Sequence, residues 1–170
     1  MWKYTGQQRP DFAVEPEAGQ ESVWDYPRPP RLVSDTRRVE VLHDESPLAS
    51  SVRCLRLCET ASPPTFYIPP DDVVWDAWMP LPGQSFCEWK GLARYWGLKA
   101  APELGAIAWS YPQPSPGYAD LKDYLSVYPS RLICTVDGER VRPQPGGFYG
   151  GWVTDEIVGP FKGGPGTSHW

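Results

Sequence analysis

The chain has 170 residues, room for one domain or for a core domain with extensions. Its 16 basic and 21 acidic residues leave a formal charge of −5, and an acidic chain lacks the field that draws phosphate backbones or anionic lipid surfaces, so neither nucleic acid nor membrane is an expected partner. No apolar run approaches the roughly 20 residues of a membrane span, and the polar N-terminus has no apolar signal segment; a cytoplasmic location is expected.

Residues 1–35 form a Pro-rich N-terminal extension. Within it, Val23-Trp24-Asp25-Tyr26-Pro27-Arg28-Pro29-Pro30 must be extended, because proline fixes its own φ and restricts its neighbour. Trp24 and Tyr26 would anchor this strap on a surface. Residues 36–128 read as the core domain. Residues 38–42 alternate as a strand, 43–47 form a turn, and 52–59 read as a strand or a short helix. Residues 65–68 are rich in β-formers. The turn Pro69-Pro70-Asp71-Asp72 leads into 73–79, a strand in which Val73, Trp75, Ala77 and Met79 would share one face. Further strands are expected at 85–89, 93–98 and 107–111. One helix is expected over 117–127, with Leu121 and Leu125 at i and i+4, ended by Pro129.

Residues 129–170 start with a hairpin, because Asp137-Gly138 separates two β-type runs. The Gly-rich C-terminal extension that follows is expected to be ordered by Phe148, Tyr149, Trp152 and Phe161 packing on the core. Short strands, frequent turns and one short helix give a mainly β fold, and burying nine Trp and nine Tyr calls for at least two packed sheets.

Little conventional catalytic chemistry is visible. The four cysteines, Cys54, Cys58, Cys87 and Cys134, are no disulfide framework and read as buried thiols. Cys54 and Cys58 would lie about 13 Å apart on a strand, too far to share a zinc at about 2.3 Å from each sulfur. The two histidines, His43 and His169, sit in a turn and a tail. No metal site and no cofactor are expected. Residues 162–167 are Gly-rich but lack the order of a phosphate-binding loop. Asp71 and Asp72 read as turn caps.

A polar set inside aromatic strands remains: Glu59, Tyr67, Lys90 and Arg94, the last preceding Tyr95 and Trp96, with Trp109 and Tyr111 on one strand face. Lys90, between Trp89 and Gly91, has three readings. It pairs with Glu59 in a structural salt bridge, it meets an anionic ligand group, or it acts as a nucleophile or base with a lowered pKa.

Several motifs carry a family resemblance: Glu59-Thr60, Thr65-Phe66-Tyr67-Ile68-Pro69-Pro70-Asp71-Asp72-Val73, Cys87-Glu88-Trp89-Lys90-Gly91-Leu92-Ala93-Arg94-Tyr95-Trp96, Ala108-Trp109-Ser110-Tyr111-Pro112, Tyr124-Leu125 and Tyr128-Pro129. Together, and in this order, they resemble the domain-of-unknown-function 427 family over about residues 36–130. The flanks look like extensions of a bacterial, partly cyanobacterial, subgroup. The resemblance implies a β-tent, two antiparallel sheets meeting at an angle, with Glu59, Tyr67, Lys90, Tyr95, Trp109 and Tyr111 lining the cleft between them. It also brings a label suggesting nucleotidyl transfer, which no residue pattern here supports. Ala61 departs from the family pattern, in which a histidine is expected.

Three functions follow. The first is a small-molecule-binding module with an aromatic cleft. The second is an enzyme using Lys90 and Glu59 as an acid–base pair. The third is an interaction protein presenting its strap and tail. The ligand and the oligomeric state are not readable from the sequence.

Overall fold

The structure is a computed structural model describing residues 1–170. Its strands, in chain order, are β1 (Glu21–Ser22), β2 (Arg31–Asp35), β3 (Val39–His43), β4 (Ser46–Ser51), β5 (Cys54–Cys58), β6 (Thr65–Tyr67), β7 (Trp78–Cys87), β8 (Gly91–Leu98), β9 (Ala108–Ser110), β10 (Leu125–Val127), β11 (Ile133–Val136), β12 (Glu139–Arg140), β13 (Arg142–Pro143), β14 (Trp152–Val153) and β15 (Ile157–Val158). The fold is mainly β. Two four-stranded antiparallel sheets have the orders β10-β9-β8-β7 and β12-β11-β3-β4, and a three-stranded sheet runs β2-β5-β6. Ile68 and Leu125 exchange backbone hydrogen bonds, which carries the β6 edge onto β10. No helix is long and apolar enough to cross a membrane.

Local chemistry explains the turns. Asp137 (φ 48°) and Gly138 (φ 82°) both lie in the left-handed region, as a two-residue hairpin between β11 and β12 requires. Two expected elements come out differently. The helix expected over 117–127 is a 3-10 segment, Pro116–Leu121, with a non-helical Tyr118 inside it. Asp123 (φ 63°) then reverses the chain, and Leu125–Val127 pairs with β9 as a strand. Sheet pairing there outweighs a weak helical periodicity. The strand expected over 73–79 is interrupted by a 3-10 turn at Trp75–Ala77, where Trp75 Nε1 donates to the Pro70 carbonyl at 2.8 Å. The strand proper starts at Trp78 and runs ten residues as an edge. Pro80 and Pro82 and a register shift between Pro80 and Gln84 interrupt its ladder, features that blunt an edge against further pairing.

The main core lies between the two four-stranded sheets and includes Val39, Val41, Phe66, Trp78, Ile107 and Leu125. The C-terminal extension supplies one of its two buried tryptophans, the other being Trp78. Trp152 is fully buried and stacks on Phe66 with centroids 4.8 Å apart. Its indole N–H donates to the Val127 carbonyl at 3.1 Å, and its amide donates to the Pro64 carbonyl at 2.8 Å. The N-terminal extension packs equally firmly. β1 pairs in parallel with β15, and Val23, Trp24 and Tyr26 form a second apolar cluster with Cys58, Ala61 and Ile157.

Charges fasten the extensions. Arg56 on β5 donates to Glu21 at 2.9 Å and holds its carboxyl below the usual range. Arg37 bonds both Asp35 and Glu156. Burial opposes ionisation of Asp35, but the Arg37 hydrogen bonds outweigh it and its pKa is lowered as well. A carboxylate whose folded pKa is depressed contributes stability above its unfolded pKa and loses it as pH falls through the folded one. Thermal denaturation should therefore show a midpoint that holds between pH 6 and 8 and drops below about pH 4. Trp152→Ala should cost about 3–5 kcal/mol in chemical denaturation, the range for truncating a fully buried tryptophan.

Candidate functional site

Strand alternation builds the site. On β6, Phe66 faces the main core and Tyr67 faces the opposite side. That second face gathers Leu57 from β5, Ala93 and Tyr95 from β8, Trp109 from β9, and Tyr111 just past its end. Tyr95 lies directly opposite Trp109 in the ladder, and its hydroxyl is 2.6 Å from Ser85 Oγ. A cleft of about 390 Å³ opens above this floor. Glu59, Lys90, Tyr95, Trp109 and Tyr111 all line it. Tyr67 does not; it is fully buried beneath the floor.

Lys90 closes the turn between β7 and β8. The residue is partly exposed, yet its ammonium points inward, the reverse of the usual snorkelling. Nζ donates to Tyr67 Oη at 3.3 Å and lies 5.9 and 5.3 Å from the Tyr67 and Tyr111 ring centroids. Trp109 Nε1 donates to the same phenol oxygen, also at 3.3 Å. Burial is the largest influence on Lys90 and opposes its charge, but the Tyr67 and Tyr111 oxygens outweigh it, and its pKa is raised. The Lys90 ammonium is thus held by a phenol oxygen and two aromatic rings rather than by a carboxylate.

The salt bridge between Lys90 and Glu59 does not form. Glu59 instead accepts from Arg28 Nε at 3.1 Å. That guanidinium is almost wholly buried and also donates to the Tyr4, Thr60 and Trp170 carbonyls. A second lysine reaches the cleft from the C-terminal extension. Lys162 Nζ donates to the Trp170 oxygen at 3.1 Å and sits over the Trp2 and Tyr149 rings. Burial, then repulsion from Arg28, lowers its pKa.

Several lining residues escaped the sequence reading. Tyr128, whose ring is 4.6 Å from that of Trp109, stood in the Tyr128-Pro129 motif just past the expected helix and was given no role in the cleft. Gln144, Gly150 and Lys162 come from the tail. The buried Gln144 amide pins the tail loop, donating to the Lys162 carbonyl at 2.7 Å and accepting from the Gly151 amide at 3.1 Å. A Cβ on Gly150 would fall 2.2 Å from Trp109 Cη2. The visible signal was the spacing of Gly146-Gly147 and Gly150-Gly151 around Phe148-Tyr149. Those two aromatics do not pack on the core as expected; they are 78% and 37% exposed and stand at the cleft.

Other candidates are structural. Asp72 accepts from Ser51 Oγ at 2.6 Å and from Arg53 at 3.2 Å. Cys54, Cys58 and Cys134 are buried, and desolvation pushes their thiols up to about 12, 11 and 12. No group of three His, Cys, Asp or Glu is arranged to hold a metal ion.

The family model described as Domain of unknown function (DUF427) matches residues 31–142. The chain belongs to this family. No curated protein matches the chain. The family's model carries the label NTP_transf_9. The matched DUF427 span holds the floor and Lys90, whereas Gln144, Gly150 and Lys162 lie beyond it. Ala61 lies in the left-handed region (φ 74°) and is fully buried. Its amide donates to the Val23 carbonyl and its carbonyl accepts from the Lys162 amide, so both extensions close over the position where the family pattern suggested histidine. Gly150→Ala should push the tail loop off Trp109, seen as a red-shifted tryptophan emission with a loss of stability of about 1–3 kcal/mol.

Proposed function

We propose that this domain binds a small molecule in the cleft above Tyr67 and Trp109. The observation that carries this reading is the combination of a concave aromatic wall with a few inward polar groups, the usual make-up of a ligand site. Its volume of about 390 Å³ falls in the lower part of the range for such sites.

The acid–base alternative is less well supported. Its acid, Glu59, is held by Arg28, and its base, Lys90, is pushed toward the protonated state. The reading of free arms that recruit a partner finds no support in Trp24 and Trp152, both fully buried. A reducing, cytoplasmic setting suits four cysteines that form no disulfide.

A thermal-shift screen of metabolites tests the proposal. A ligand present at a hundred times its Kd adds about 2.7 kcal/mol, or roughly 5–10 °C for a chain of this size. A hit should lose most of its shift in Trp109→Leu, and a screen without hits would count against the cleft as a binding site.

A further inference from the structure

The ligand class is readable from the charges of the cleft, given the reading that the cleft binds a small molecule. The protein has ten ion pairs, and arginine supplies the cation in every one. Lys90 and Lys162 take part in none, although both reach the cleft. Glu59, the acid in the lining, is neutralised from behind by Arg28. A chain of net charge −5 therefore presents a cleft in which the Lys90 ammonium meets a phenol but no anion, whereas that of Lys162 is already bonded to the Trp170 oxygen. Holding a cation away from water without an anion is costly, and a ligand anion would remove that cost.

The neighbours of Lys90 select the rest of the ligand. Its ammonium faces the rings of Tyr67 and Tyr111, and Trp109 and Tyr128 form an adjoining tilted aromatic pair. Tyr128 lines the cleft. An oxyanion on Lys90 would place an attached flat ring against this wall. Phosphate sites usually present a helix N-terminus, a nest of free amides or an arginine fork. Here the longest helical segment has six residues, the Arg28 guanidinium is committed to protein acceptors, and the Gly151 and Gly163 amides are committed to Gln144 and Thr167. A lone ammonium with a phenol beside it suits a singly charged group.

We infer that the cleft takes a small aromatic carboxylate, with the carboxylate on Lys90 and the ring against Trp109 and Tyr128.

The test is calorimetry and tryptophan fluorescence on the full chain with phenylacetate, phenylacetamide, phenethylamine, phenyl phosphate and acetate. Phenylacetate should bind at least tenfold more tightly than each of the others. Lys90→Met should weaken it tenfold or more while leaving phenylacetamide unchanged. Tyr128→Leu, which removes the aromatic face and is expected to fold even if Lys90→Met does not, should weaken phenylacetate about threefold to tenfold. Equal binding of phenylacetamide or phenethylamine would overturn the carboxylate while leaving the cleft as a binding site. Tighter binding of phenyl phosphate would overturn it in favour of a phosphate. Binding of no aromatic probe would overturn it too, and the cleft reading would fall with it only if the metabolite screen also gave no hit.

Discussion

The floor of the cleft depends on one buried oxygen. Tyr67 Oη receives a hydrogen bond from Lys90 in the β7–β8 turn and another from Trp109 on β9. A phenol oxygen sealed from water must find partners or cost free energy. Here the partners come from separate strands, so satisfying the phenol also sets where the indole and the ammonium stand. The Ile68–Leu125 bridge places β6 beside β10 and so brings Tyr67 under Trp109. The geometry of the site is therefore a consequence of how two sheets are joined.

The second constraint comes from outside the matched family span. The two extensions bond to each other through β1 and β15 and to the core through the segment from Glu59 to Pro64. They do two things at once. Trp152 completes the main core, and Gln144, Gly150 and Lys162 complete the cleft wall. Close backbone approaches make this possible: a Cβ on Gly163 would lie 1.9 Å from the Pro145 carbonyl oxygen, and one on Gly146 would lie 2.3 Å from that of Gly163. Only residues without a Cβ allow those segments to cross so tightly.

Much of this was legible in the residues. Alternation and turn chemistry located β3, β6, β8, β9 and the Asp137-Gly138 hairpin, because each depends on local patterns, whereas residues 52–59, which hold β5, read equally as a strand or a short helix. The family motifs named Glu59, Tyr67, Lys90, Tyr95, Trp109 and Tyr111, five of which the fold brings to one cleft. What escaped depends on distant partners. Leu125–Val127 carries a helical spacing, but Trp109 and Ile68 draw its backbone into a sheet. The partner of Glu59 is Arg28, 31 positions earlier, and no spacing rule links the two. Phe148 and Tyr149 were expected in the core because exposing aromatics is costly; the glycines on either side instead carry them out to the cleft.

The account rests on Lys90 being a protonated ammonium turned into the cleft. Following the ¹³Cε resonance of Lys90 by NMR across a pH titration measures that state directly. The account predicts no titration up to pH 9, the side chain staying charged throughout. A midpoint at or below pH 8 would contradict it and would make Lys90 a neutral amine suited to proton transfer or nucleophilic attack.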